Sequence, residues 1–234
     1  MSRFPKSTDR LVVEAFQELE GIVNPDSRAC ALQEILKTLV YGDPENVRSQ
    51  LVLISDPWQR YVLYIELYAA HGDQRDLEQL TRVVIDSDAD EVRDRADQIS
   101  GLRIRVASGW RCIPHSLVMT SEQRTRMLIR SKNRLEKIRD YDVKPMLFGE
   151  LCLQIELGDT QAIVEARKMA GSSEDLLDQV NVSIAKALVR RALPVRARQI
   201  LAAIKSPVYR IEILMNIALL VSEFDDPLFL SIIH

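Results

Sequence analysis

Glycine and proline are scarce in this chain, eight and nine among 234 residues. That excludes collagen-like and loop-rich low-complexity architectures. Little alternates with period two apart from short β-branched runs such as Arg82-Val-Val-Ile85, which leaves helix as the default. No apolar run approaches the roughly 18 residues that would span a bilayer, and no apolar stretch follows the polar start Met1 to Arg10, so neither a membrane span nor a secretory leader is expected. The three cysteines, Cys30, Cys112 and Cys152, are odd in number and widely spaced. Cys30 and Cys152 fall among apolar helix positions, so they read as free thiols of a cytoplasmic protein and not as a disulfide framework.

What the chain does contain is a returning phrase. An Ile, an Asp or Asn with Pro, and a basic residue are followed by apolar residues at helical spacing and then Gly-Asp. It is clearest as Ile22-Val-Asn24-Pro25-Asp-Ser-Arg28 running to Gly42-Asp43, and as Ile54-Ser-Asp56-Pro57-Trp-Gln-Arg60 running to Gly72-Asp73. Arg28, Lys144 and Arg210 each stand fifteen residues before an aspartate: Asp43, Asp159 and Asp225. A fixed internal ruler of this kind is the mark of a repeat protein, because one helix pair cannot bury its apolar face alone and must stack on the next.

The spacing predicts a leading helix over 9–23, with Leu11, Ala15, Leu19 and Ile22 on one stripe, and helix pairs over 26–54, 57–86, 90–138, 143–170, 175–204 and 208–234. The second helix carries Ala31, Leu32, Ile35, Leu36 and Leu39 inward. Gly42 and Gly72 are expected as left-handed helix stops, with Asp43 and Asp73 as the next N-caps. The whole chain, 1–234, then forms one domain. One place breaks the rule: residues 108–120 are inserted at a turn, where such arrays place binding embellishments.

These helix pairs, with Gly42 and Gly72 in the turns and Pro25, Pro57 and Pro207 between units, resemble the tetratricopeptide-like superfamily of αα-hairpin repeats; a HEAT-like repeat fits as well. The resemblance implies an all-α, right-handed αα-superhelix, a solenoid of about six helix-turn-helix repeats. It also implies a protein-binding scaffold, adaptor or chaperone without a defined chemistry.

Charge is uneven along the chain. Residues 103–144 carry 11 Lys and Arg against 4 Asp and Glu, whereas residues 1–102 carry 11 against 19. Arg126, Arg130 and Arg134 on the basic helix, with Trp110 and Arg111 in the insertion, are candidate binding residues for an acidic protein or peptide. Nucleic acid is the alternative, weakened by sparse stacking aromatics. The opposing reading is a solvated or internally paired charged face. Tyr61, Tyr64 and Tyr68 share one helix face and form either a peptide-binding stripe or inter-repeat packing.

Chemistry is harder to place. Cys112 and His115 supply two ligands where zinc needs about four. The run Asp86 to Glu91 lacks the glycine of a calcium loop and reads as helix capping. No phosphate loop and no nucleophile with an oriented base are found, so the expectation is a non-catalytic chain without metal or cofactor. The apolar end, 227–234, is expected to fold back or to meet a second copy in a homodimer.

Overall fold

The computed structural model describes residues 6–85, 89–108, 118–139 and 143–224. Helix starts are set by short acidic or hydroxyl side chains. Asp56 accepts from Trp58 N at 2.9 Å, Asp73 from Arg75 N at 2.9 Å, Asp159 from Gln161 N at 2.9 Å, and Asp43 from Asn46 N at 3.3 Å. Thr120 and Gln123 cap each other reciprocally: Gln123 N donates to Thr120 Oγ1 at 3.1 Å and Thr120 N to Gln123 Oε1 at 2.9 Å.

Among the described residues every regular element is helical. The order is α1 (Lys6–Glu20), α2 (Pro25–Leu39), α3 (Pro44–Gln50), a 3-10 turn (Leu51–Leu53), α4 (Pro57–His71), α5 (Gln74–Ile85) and α6 (Ala89–Ala107). Then follow α7 (Ser121–Arg139), α8 (Lys144–Glu156), α9 (Thr160–Ala170), α10 (Glu174–Val189), α11 (Pro194–Ile200), a second 3-10 turn (Leu201–Ala203) and α12 (Pro207–Phe224).

The helix stops differ in part from expectation. Gly72 is left-handed, φ 71° and ψ 21°, and its N–H closes on Tyr68 O at 2.8 Å. Gly42 is not left-handed; the Leu39 carbonyl takes both Gly42 N and Asp43 N, so the turn tightens without a positive φ. The matching turn after α10 is reversed, with Ala192 at φ 57°.

The helices fall into two compact units. The first holds α2 from Ala29 through α6; the second holds α1, the opening residues of α2, and α7 to α12. In the first unit α4 packs on α5, and α6 lies against both. Its core includes Tyr61, Tyr68, Leu77, Leu80, Val84, Leu102 and Val106. Ala31, Leu32, Ile35, Leu36 and Leu39 of α2 are buried as expected.

In the second unit α8 pairs with α9 and with α7, while α10 packs on α8 and α12. Leu135, Phe148, Leu151, Ile155 and Val180 share a core with the alanines Ala162, Ala166 and Ala170 of α9. The predicted stripe Leu11, Ala15, Leu19 and Ile22 is buried, but its partner is unexpected: α1 packs on α12, from the far end of the sequence. Burying Leu11, Leu19 and Ile22 stabilises that pairing by roughly 1.5–3 kcal/mol per side chain relative to exposure.

The two units share a duplicated stretch. From α2 through α4 and from α10 through α12 the same elements recur at one constant offset: Pro44 with Pro194, Leu51 with Leu201, Ile54 with Ile204, Pro57 with Pro207 and Arg60 with Arg210. In both copies the Leu and Ile of these pairs are buried.

Candidate functional site

The basic helix α7 spends most of its charge internally. Arg134 Nε donates to Glu150 Oε1 at 2.6 Å, and Ser131 Oγ donates to Glu150 Oε2 at 2.6 Å. Burial alone would raise the Glu150 carboxyl, but the Arg134 and Ser131 hydrogen bonds outweigh it and hold its pKa below the usual value. Lys132 pairs with Asp159 at 2.7 Å and Arg139 with Glu165 at 2.8 Å, which ties α7 to the start and the middle of α9. Arg126 pairs with Glu122 on its own helix. Arg130 and Lys137 are exposed and make no ion pair among the described residues. Met127 is exposed: the buried face runs through Ser131 and Leu135, with Leu128 and Ile138 half-buried beside it.

The tyrosine face turns inward. Tyr61 is 1% exposed and Tyr68 5%, while Tyr64 is half-buried with its hydroxyl pKa pushed up by burial. Tyr61 Oη donates to Gln98 Oε1 at 3.2 Å, and His71 Nε2 lies 2.6 Å from Val40 O. Tyr61 and Tyr68 therefore hold α4 against its neighbours and present nothing to a peptide. Cys30, expected among packed positions, is exposed, whereas Cys152 lies half-buried against the core. Trp110, Arg111, Cys112 and His115, the side chains of the acidic run 86–91, and the segment 227–234 lie outside the described residues.

The sequence reading missed an exposed apolar turn in the first unit. Val52 and Leu53 of the first 3-10 turn are 79% and 67% exposed, and Trp58, in the first turn of α4, is 51% exposed while its ring stacks on Tyr61 at 5.4 Å. The two 3-10 turns have the same length and are flanked by the same buried Leu and Ile, so a fold requirement for large apolar side chains would act on both. The second turn has Ala202 and Ala203, both exposed, and Val208 in place of Trp58. The scaffold thus accepts alanine here, so the size of Val52 and Leu53 is not required by the turn, while Trp58 keeps its stacking contact with Tyr61. The signal was legible as Val-Leu beside Trp58, but it was absorbed into the helical period.

Against family models, curated proteins and solved structures, the chain matches nothing. The geometry must carry the reading by itself.

Arg60, which closes the same turn, contrasts with its duplicate. Arg210 donates from Nη1 to Ile204 O and Lys205 O at 3.0 and 2.9 Å, and from Nε and Nη2 to Glu18 at 3.0 and 2.6 Å. Arg60 is half-buried, and its Nε is buried without a hydrogen-bond partner, as is Oε1 of the adjacent Gln59. Unpaired buried polar atoms are costly, roughly 1–3 kcal/mol each, so two at one turn are an unusual concentration.

Other polar groups find partners in the fold. Lys186 sits between Glu212 at 2.6 Å and Glu156 at 3.7 Å, and Arg190 reaches Glu156 at 2.9 Å, so α8, α10 and α12 are stitched by a neutral ladder. Burial would lower the Lys186 pKa, but the two carboxylates prevail and raise it. Asp178, buried in α10, accepts from Lys205 N and Ser206 N and fixes the entry to α12. An open groove of about 480 Å³ is lined by Arg10, Val13, Glu14, Gln17 and Arg198, and its Glu14 is already paired with Arg198. Among the described residues no three His, Cys, Asp or Glu side chains converge on a metal position, and no helix is long and apolar enough to cross a membrane.

Proposed function

We propose that the chain is a non-catalytic, cytoplasmic scaffold or adaptor of tetratricopeptide-like helix pairs, arranged as a right-handed αα-superhelix, that binds a protein or peptide partner. The observation that carries the reading is the exposed apolar pair Val52 and Leu53, set against the alanines at the same place in the duplicated stretch. Exposed apolar side chains such as Val52 and Leu53 mark interaction surfaces where packing does not require them.

The basic helix contributes a second, smaller surface in Arg126, Arg130, Met127 and Ile129. Trp110 and Arg111 of the insertion stay in the proposal on sequence grounds. A nucleic-acid-binding role for residues 103–144 ranks lower, because Lys132, Arg134 and Arg139 are engaged by acidic residues of α8 and α9.

Site-specific photocrosslinking tests this. A benzophenone side chain at position 52 is expected to give a discrete protein adduct in cells, and one at position 202 none. Equal adducts from both positions, or none from position 52, would remove the apolar turn as a binding surface. A salt-sensitive gel shift at low ionic strength, lost on Arg130→Glu with Lys137→Glu, would move the assignment to nucleic acid.

A further inference from the structure

Two segments of this chain suit one place on α12. In the first unit the corresponding place on α4 belongs to α5, which buries Leu80 and Val83 in a core with Tyr61. It is also tied to α3, where Arg48 donates to Asp76 at 2.8 and 2.6 Å. Carried along the constant offset of the duplicated stretch, α4 corresponds to α12 and Arg48 to Arg198, while Asp76, Leu80, Thr81 and Val83 of α5 correspond to Asp226, Leu230, Ser231 and Ile233. Residues 225–234 lie outside the described residues, and the helix that packs on α12 is α1, whose Glu14 takes Arg198 at 2.6 Å. Both α1 and residues 226–234 therefore bring a carboxylate suited to Arg198 and apolar residues at helical spacing.

Of the two seated helices, α1 is held more loosely. Arg48 and Asp76 are shielded, whereas Arg198 and Glu14 are 53% and 36% exposed and joined through Arg198 Nη2 alone. An ion pair open to water contributes much less than a shielded one. The groove of about 480 Å³ lined by Arg10, Val13, Glu14, Gln17 and Arg198 lies open where α1 meets Arg198, and Val13 on its wall is exposed. We propose that α1 and residues 226–234 exchange on α12. The state with α1 seated predominates; when α1 lifts, residues 226–234 take its place, with Asp226 on Arg198 and Leu230 and Ile233 toward α12. Such an exchange keeps α12 covered and frees the stripe Leu11, Ala15, Leu19 and Ile22 for another surface. It is independent of Val52 and Leu53.

Hydrogen–deuterium exchange on the full chain follows both occupants. Refilling of the place by residues 226–234 adds to the population in which α1 is open, so removing the competitor makes α1 open less often. Leu230→Asp with Ile233→Asp is expected to slow exchange in α1 about threefold or more and to leave α8 and α9 unchanged. In the converse variant, Leu11→Asp with Leu19→Asp, α1 is unseated, and exchange of residues 228–234 is expected to slow about tenfold. Adding Asp226→Asn to that variant is expected to give back part of the slowing.

Unchanged exchange in α1 after Leu230→Asp with Ile233→Asp rules the exchange out, and faster exchange does so too, since it would mean that the segment braces α1. That arm leaves the stripe of α1 intact, so it decides the matter even where unseating α1 unfolds α12. If residues 228–234 exchange as fast in the Leu11→Asp, Leu19→Asp variant as in the wild type while α8 and α10 stay protected, the place on α12 is not refilled and the exchange is again ruled out. Slowing that grows with protein concentration assigns residues 226–234 to a second copy of the chain instead. Slowing in both arms that is independent of concentration supports the exchange within one chain.

Discussion

Glu18 and Arg210, 192 positions apart, are joined by hydrogen bonds of 3.0 and 2.6 Å. The pair locks the first helix onto the last described one, so the N-terminal helix belongs to the same compact unit as α12. In this respect α1 stands to α12 as α5 stands to α4. Both side chains are partly shielded, at 28% exposure, which lifts the pair above an ordinary surface ion pair. Glu18→Gln and Arg210→Gln are each expected to cost about 1–2 kcal/mol in urea unfolding, and the double variant little more than either alone. Full additivity would mean that the two residues do not act as a pair.

Arg48 and Asp76 test the cost of a carboxylate deeper inside. Asp76 is 1% exposed and receives both Arg48 bonds. Arg48→Gln leaves that carboxylate buried without its cation and is expected to destabilise the fold by about 3 kcal/mol. Arg126→Gln breaks the exposed pair with Glu122 and is expected to cost about 0.3 kcal/mol. Similar losses from both would contradict the burial argument.

Two turns carry backbone strain of opposite promise. Gly158 has φ 97°, and a Cβ added there would meet Arg191 Nη2 at 2.2 Å. Gly158→Ala is therefore expected to lower stability by about 1–2 kcal/mol. Ala192 occupies φ 57° without being glycine, so Ala192→Gly is expected to raise it by up to about 1 kcal/mol. Gly149, inside α8 with open space where a Cβ would lie, is the control: Gly149→Ala is expected to stabilise by about 0.5–1 kcal/mol. Calorimetric melting temperatures in the order Gly149→Ala above wild type above Gly158→Ala would bear this out.

Glu66 of α4 makes stability depend on pH near neutrality. Burial pushes its carboxyl up to about 7, with Lys37 opposing and Glu34 adding to the rise. Between the unfolded value near 4.5 and about 7 the folded state keeps a proton that the unfolded chain releases, so stability falls as pH rises through that window. Glu66→Gln is expected to gain on wild type by about 3 kcal/mol between pH 4 and pH 8. Asp73 acts in the opposite sense at lower pH. The Arg75 side chain and backbone N–H hold its carboxyl at about 2, so its contribution is complete above pH 4 and is lost as pH falls toward 2. A Glu66→Gln advantage that does not change with pH would show that burial does not govern this carboxyl.

Local punctuation was largely legible in the sequence. Asp43, Asp56, Asp73 and Asp159 cap as their types and positions indicate, and the stripes of α1 and α2 are buried, because capping and helical periodicity depend on residues within a turn or two. Tyr61 and Tyr68 were ambiguous for a physical reason. A helix face shared by aromatic residues looks the same whether its neighbour is another helix of the fold or a partner, and only the position of α5 and α6 turned it inward. The basic helix was ambiguous in the same way, since Glu150, Asp159 and Glu165, which engage it, come from other helices.

By itself the sequence determined where many of the helices begin and which stripe of α1 and α2 is apolar, because backbone hydrogen bonding and side-chain periodicity are local. Tertiary structure alone decided that α1 covers α12, that Arg210 is gripped while Arg60 is left with an unpaired Nε, and that Val52 and Leu53 face solvent where Ala202 and Ala203 stand in the duplicate. These depend on which distant surfaces meet, and burial of apolar area is non-directional, so no spacing along the chain specifies the partner.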